Sequence, residues 1–197
     1  VYDIDVVTVY HNQKNEKQAQ DLENAIEMFE PGRCNVIKHS NREENLGFAK
    51  GCNIGARQGT APVIGFINPD AEVQGKFVDH VLYALREEGV MITGKRFEKS
   101  DFELGLWGVK NWVCGAVFFV DRAWFESLDG FDERYEWSHE ETDFIRMTEK
   151  SGYRVQDIEL PIYHNSPGDD SEVDSHYKQK KFDEAETEFV KKWGRSW

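Results

Sequence analysis

Cysteine is scarce in this 197-residue chain, which carries only Cys34, Cys52 and Cys114. Three scattered thiols cannot build a disulfide framework, and none stands in the CxxC spacing of a structural zinc site. An odd count suits a reducing compartment. Basic residues are also in short supply: 24 Lys and Arg stand against 37 Asp and Glu, a formal net charge of −13. A protein that grips phosphate backbones non-specifically carries a basic face, so strong non-specific nucleic-acid binding is not expected. No apolar run is long enough to span a bilayer, and no secretory signal precedes the first strand. These absences together give the expectation of a soluble cytoplasmic protein. No internal repeat or low-complexity linker divides the chain, and its length suits one domain with a sizeable core.

What is present is enough to fold. Hydrophobic residues make up 39% and aromatics 13%, and the six tryptophans need burial or a binding role. Ile4–Tyr10 reads as a buried, β-branched strand with His11 and Asn12 at its carboxyl end. Ala19, Leu22, Ile26 and Phe29 recur at helical spacing, and Pro31-Gly32 stops that helix. Asn35–His39 reads as a short second strand, and Asn45–Ala56 as a tight turn entering a helix. Ala61–Ile67 is a third strand that ends in Asn68-Pro69-Asp70. A helical stripe at Phe77, Val78, Val81, Leu82 and Leu85 leads to a strand at Val90–Thr93. That alternation predicts a mostly parallel sheet covered on both faces, with ligands beyond the carboxyl ends of its strands. His11, Asn12 and Asp70 then share one rim.

The second half is less regular. Glu98–Lys110, with Trp107, reads as a loop near the site, and Trp112–Val120 as a strand. Helices are expected at Ala123–Leu128 and Glu140–Ser151. Ser166–Asp174 is polar and reads as a mobile loop. Phe182, Ala185, Phe189, Val190 and Trp193 fall on one face of a terminal helix that should dock on the core.

Four constellations can carry chemistry, and each also has a plain structural reading. Asn68-Pro69-Asp70 is good turn chemistry, yet it also presents a carboxylate on the ligand rim, where a divalent cation between two phosphates needs hard oxygen. Gly47, Gly51 and Gly55 allow either close helix packing or close approach of a ligand to free N–H groups, with Asn53 projecting towards the rim. Glu140, Glu141 and Asp143 suit the positive end of a helix dipole, and one of them suits a general base. Asp143 and Arg146 stand one turn apart and can pair. His164 is either a polar strand end or a metal ligand.

The order and spacing of these blocks go further than any one of them. Asn45-Leu46-Gly47-Phe48-Ala49, Asn53-Ile54-Gly55 and Phe66–Asp70 resemble the nucleotide-sugar half of family 2 glycosyltransferases, notably rhamnosyltransferase-like members. Gly115, Phe125, Gly130-Phe131-Asp132-Glu133, Glu140–Asp143, Arg146 and Gly152-Tyr153 resemble the acceptor half, and Phe189–Trp193 also matches such enzymes. The resemblance implies a GT-A, Rossmann-like α/β fold: a central sheet flanked by helices in a single domain closed by a C-terminal helix. Residues 1–95 would form the nucleotide-sugar half and 96–197 the acceptor and catalytic half. It implies a nucleotide-diphosphate sugar donor held by Tyr10, Asn12, Asn45, Gly47, Asn53, Asn68, Asp70, Trp107 and Gly115. Mn²⁺ or Mg²⁺ would sit on Asp70, which matches the carboxylate of the DxD-type motif, and on His164. Glu141 falls where the usual base of inverting members stands, with Glu140 beside it as second candidate.

Two departures bear on function. Members of the family usually carry an acid after the second strand to hold the nucleobase, whereas here His39-Ser40-Asn41 runs almost directly into Asn45. The run from Gly130 to Glu141 also resembles the galactosyltransferase and polypeptide N-acetylgalactosaminyltransferase type, some of which retain configuration. Stereochemistry and acceptor therefore stay open. Two rivals stand beside sugar transfer. One is a non-catalytic sugar-nucleotide-binding module. The other is a sugar nucleotidyltransferase, against which His11–Asn15 counts because it holds no glycine.

Overall fold

The computed structural model describes residues 1–44, 46–96, 110–164 and 175–194. Six strands form one sheet in the order β2-β1-β3-β6-β5-β7. They are β1 (Ile4–Tyr10), β2 (Cys34–Ser40), β3 (Val63–Ile67), β5 (Val90–Gly94), β6 (Val117–Asp121) and β7 (Arg154–Asp157). Only β6 runs against its neighbours; β1 pairs in parallel with β2 and β3, as β5 does with β7. A second, two-stranded sheet joins β4 (Ala71–Val73) to β8 (Ile162–His164). The helices are α1 (Gln13–Phe29), α2 (Phe48–Ala56), α3 (Val78–Leu85), α4 (Arg122–Ser127), α5 (Glu140–Lys150) and α6 (Ser175–Trp193). This is the expected α/β architecture with a mostly parallel sheet flanked by helices.

Strand alternation sorts the core into two layers. Val7, Phe66, Phe118 and Val120 face one side, where they meet Ala49 and Cys52 of α2, Phe125 of α4 and Phe144 of α5. Ile4, Val6, Val117 and Phe119 face the other, against Leu22 and Ile26 of α1 and Val78 and Val81 of α3. Gly65 in β3 permits this packing, because a Cβ there would lie 2.7 Å from the Phe119 ring.

A buried ion pair ties the first strand to the second half. Asp5 is 1% exposed and accepts from Arg122 Nη2 at 2.7 Å, Asn35 Nδ2 at 2.8 Å and the Ala61 amide at 2.6 Å. The same guanidinium donates to the carbonyls of Ala61 and Ala56. Arg122→Met should therefore cost about 3–5 kcal/mol of unfolding free energy in a denaturant titration, since it strands a buried carboxylate.

Several boundaries depart from the sequence reading. The strand expected over Trp112–Val120 is confined to Val117–Asp121. The preceding residues are apolar because they are buried, not because they are extended: the chain turns there, with the Val117 amide on Cys114 O at 2.9 Å. Strands β4 and β7 have no clear apolar signature; β4 has three residues and β7 is a half-exposed edge strand. The terminal helix docks as expected through Ala185 and Phe189, while Phe182 is 37% exposed.

Candidate functional site

The rim beyond β1 and β3 gathers residues from distant parts of the chain. Asn68-Pro69-Asp70 does form a turn, with the Ala71 amide on Asn68 O at 3.0 Å. It then runs straight into β4, whose antiparallel partner β8 sets Ala71 opposite His164. The result places His164 Nε2 3.1 Å from Asp70 Oδ1, across 94 residues of sequence. Both side chains stay partly open to solvent, at 13% for His164 and 28% for Asp70. The strand that carries the histidine is fastened by Lys95, which sequence reasoning did not single out. Its Nζ donates to the carbonyls of Leu160 (3.0 Å) and Ile162 (2.9 Å) and lies 4.5 Å from the centre of the Tyr163 ring.

The same turn is tied to the other half of the chain. The Asn68 amide donates to Ala116 O at 3.0 Å. The neighbouring Gly115 lies against Glu141: a Cβ there would be 3.4 Å from the Glu141 carboxyl carbon. Asn68, Asp70, His164, Gly115 and Glu141 are thereby linked through direct neighbours.

Glu140, Glu141 and Asp143 occupy the first turn of α5, but they differ in environment. Glu141 is half-buried. Glu140 is 6% exposed, and its Oε2 has no hydrogen-bond partner among the described residues. Burial, aided by the charge of Glu141, pushes the Glu140 carboxyl well above its ordinary range, so its neutral form is favoured. Asp143 is 1% exposed and receives Trp193 Nε1 at 2.6 Å and Lys192 Nζ at 2.7 Å. The helix is entered through His139 at φ 76°, a left-handed conformation uncommon for a non-glycine residue. Burial lowers the His139 pKa to about 4, so this ring is neutral near pH 7.

Other candidates fall elsewhere. Asn53 does not project to the rim. It is 2% exposed, and its side-chain amide donates to Phe131 O at 2.9 Å while accepting from the Phe131 amide at 2.9 Å. Its Nδ2 also donates to Glu133 Oε1 at 3.1 Å, so both N–H groups serve the Gly130–Glu133 segment. Gly47 enters α2 at φ 79°, and a Cβ there would lie 2.9 Å from the Glu136 backbone, so close packing is one reason for that glycine. Asn12 caps α1 by accepting from the Asn15 amide at 2.8 Å. Tyr10 ends β1 half-buried, its carbonyl taking the Asn41 amide at 2.8 Å. Trp112 is 9% exposed and donates to Thr142 Oγ1 at 3.3 Å. Asn45 and Trp107 lie outside the described residues, as do nearly all of the loop at 98–110 and the whole stretch 166–174.

The missing nucleobase acid has a visible counterpart. Edge strand β2 lies directly beside β1, and Asn41 after it is 5% exposed. Its Nδ2 donates to Gly47 O at 3.0 Å, which draws the end of β2 onto the entrance of α2.

The sequence model of glycosyl transferase family 2 matches residues 16–157, and the chain belongs to that family. No curated protein matches the chain. Among solved structures it is similar to Staphylococcus aureus TarS. The crystal structure of TarS 1-349 superposes with a TM-score of 0.59 and 13% identity, over 96% of this chain and 72% of that one. The complex of TarS 1-349 with UDP-GlcNAc gives 0.61 and 13%, over 95% and 66%. Against the longer TarS structure the values are 0.58 and 12%, and this chain spans 43% of its length. At these identities the likeness is one of fold.

Proposed function

We propose that this chain transfers a sugar from a nucleotide-diphosphate donor to an acceptor hydroxyl, with inversion, using Asp70 and His164 at the diphosphate and Glu141 as base. The observation that carries the proposal is the linkage from the Asp70–His164 pair, through Asn68 and Ala116, to Gly115 and Glu141. Family membership and the fold of a protein crystallised with UDP-GlcNAc support it. A hexosyl donor on uridine diphosphate is the first to try.

The residues fit a divalent ion. A carboxylate oxygen and an imidazole nitrogen meet at 3.1 Å on a partly open rim, which is suitable for Mn²⁺ or Mg²⁺. Among the described residues no group of three or more His, Cys, Asp or Glu side chains can hold a metal, so the remaining ligands would be phosphate oxygens and water. When bound, such an ion supplies neutralisation of the leaving nucleotide's charge. The chain's own residues do the rest. Asp70 and His164 would hold that ion at the diphosphate end of the donor. Glu141 takes the acceptor proton as the glycosidic bond forms. Glu140, buried and biased to its neutral form, is the weaker candidate for that step.

One observation favours a second reading. Asn41 is bonded to Gly47 O where family members offer an acid to the base, which suits a binding module with altered nucleotide preference. Family membership lends no support to a sugar nucleotidyltransferase.

A thermal-shift series separates these readings. With UDP-, GDP- and dTDP-sugars, each with and without Mn²⁺, one donor should raise Tm only when the metal is present. At a hundred times Kd the stabilisation is about 2.7 kcal/mol, or about 5–10 °C for a domain of this size. Absence of a shift for every donor would overturn the nucleotide-sugar site itself. A shift without turnover over a broad acceptor panel would establish the binding module.

A further inference from the structure

The C-terminal helix grips α5 through a buried ion pair as well as docking through apolar packing on Tyr135. Ala185 and Phe189 are each 1% exposed and pack with Tyr135, which anchors α6. Beyond them, Trp193 Nε1 donates to Asp143 Oδ1 at 2.6 Å and Lys192 Nζ to Asp143 Oδ2 at 2.7 Å. Tyr135 Oη adds a longer bond to Oδ1 at 3.3 Å, and Lys192 also reaches Asp132 Oδ2 at 3.2 Å. The Trp193 ring is in turn flanked by the Arg146 guanidinium at 4.8 Å and Lys150 Nζ at 4.7 Å, both from α5.

Burying a carboxylate against a cation is a poor way to gain stability, because desolvation offsets most of the attraction. What such a pair does supply is direction. Two hydrogen bonds on separate oxygens fix both the rotation of α5 about its axis and its position along it. Residues two apart on a helix differ by about 200°. Asp143 turned into α6 therefore leaves Glu141 turned the opposite way, towards Gly115.

We infer that Lys192 and Trp193 are positioning residues for the reaction, holding Asp143 so that the first turn of α5 presents Glu141 to the acceptor. This rests on the reading of Glu141 as base, and the test keeps the two apart. Trp193→Phe keeps the ring between Arg146, Lys150 and Phe189 and removes only the N–H. Lys192→Met removes the cation and keeps the stem, while Lys192→Arg restores a charged donor. Steady-state kinetics with UDP-sugar and acceptor should show kcat about 10- to 100-fold lower for W193F and K192M, the cost of a slightly misplaced base. Donor KM should hold, and K192R should recover most of the rate lost in K192M. Unchanged kcat in W193F and K192M overturns the inference. So does a loss shared by kcat and donor KM with no recovery in K192R, which is the signature of general loosening. If the wild-type protein turns over no nucleotide sugar, the proposed function has failed, and amide hydrogen exchange decides the clamp. W193F should then speed exchange across Glu140–Lys150 and leave β1 and β3 unchanged; equal exchange in both proteins overturns it.

Discussion

Glu141→Gln is expected to lower kcat by about 10²–10⁴-fold, the usual contribution of a positioned general base, while a UDP-sugar still raises Tm as it does for the unaltered protein. The substitution keeps size and removes only the ability to take a proton. Glu141 is half-buried on the face that meets Gly115, and glutamine fills the same volume there. Donor binding unchanged with turnover lost places the deficit in chemistry. Full activity would remove Glu141 from the mechanism. Glu140→Gln is the necessary companion, and its signature is stability. The Glu140 carboxyl is held above its ordinary range, so the folded chain binds that proton more tightly than the unfolded one. Its contribution is complete below the ordinary Glu pKa and is lost as pH rises through the raised value. Glu140→Gln keeps the shape of the neutral acid and cannot ionise. Its stability relative to wild type should rise from pH 5 to pH 8 in parallel denaturant titrations. A turnover loss in Glu140→Gln, with Glu141→Gln still active, would exchange the two roles.

These two glutamates illustrate what a sequence can and cannot reveal. Their presence at a helix start was legible, because three acids at Glu140, Glu141 and Asp143 suit the helix dipole. The burial of Glu140 was not, since it depends on elements distant in sequence, Cys52 of α2 among them, packing near the start of the helix. The first half of the fold was legible for a related reason: β3 is a continuous apolar run and β1 nearly so, broken only by Asp5 and Thr8, as suits strands covered on both faces. The second half carried no comparable signal. In Trp112–Val120 an apolar stretch contains a buried turn as well as a strand, and pattern alone cannot divide them. Asn53 had the right residue type and helix for the rim, but the 78-residue jump to Phe131 claims its amide. Asp143 and Arg146 do attract one another across their one-turn spacing, but the hydrogen bonds of Asp143 go to residues 49 and 50 positions away. In each case a short-range rule yields to a partner that only the tertiary fold supplies.

Asp70 is the reverse case, where distant partners strengthen a weak local signal. Asn-Pro-Asp is commonplace as a turn, and a histidine at a strand end is equally so. Their meeting at 3.1 Å depends on β4 and β8 pairing in a register that sets Ala71 against His164. Asp70→Ala should therefore abolish metal-dependent transfer, lowering kcat/KM at saturating Mn²⁺ by at least about 100-fold, in line with the several kcal/mol a Lewis acid contributes at a leaving phosphate. The side chain is 28% exposed and outside both core layers, so the variant should fold and melt near the wild-type temperature. The decisive comparison uses chelator. EDTA should collapse the donor-induced rise in Tm for the wild-type protein and leave the small residual shift of Asp70→Ala unchanged, because that variant has no ion to lose. His164→Ala should behave similarly but less severely, since one carboxylate with phosphate and water can still hold a weakly bound ion. If Asp70→Ala transfers sugar at the wild-type rate, the ion does not sit on Asp70. If the wild-type protein transfers equally well in EDTA, the charge on the leaving nucleotide is met by protein groups alone, and the Asp70–His164 pair is a structural bond between β4 and β8.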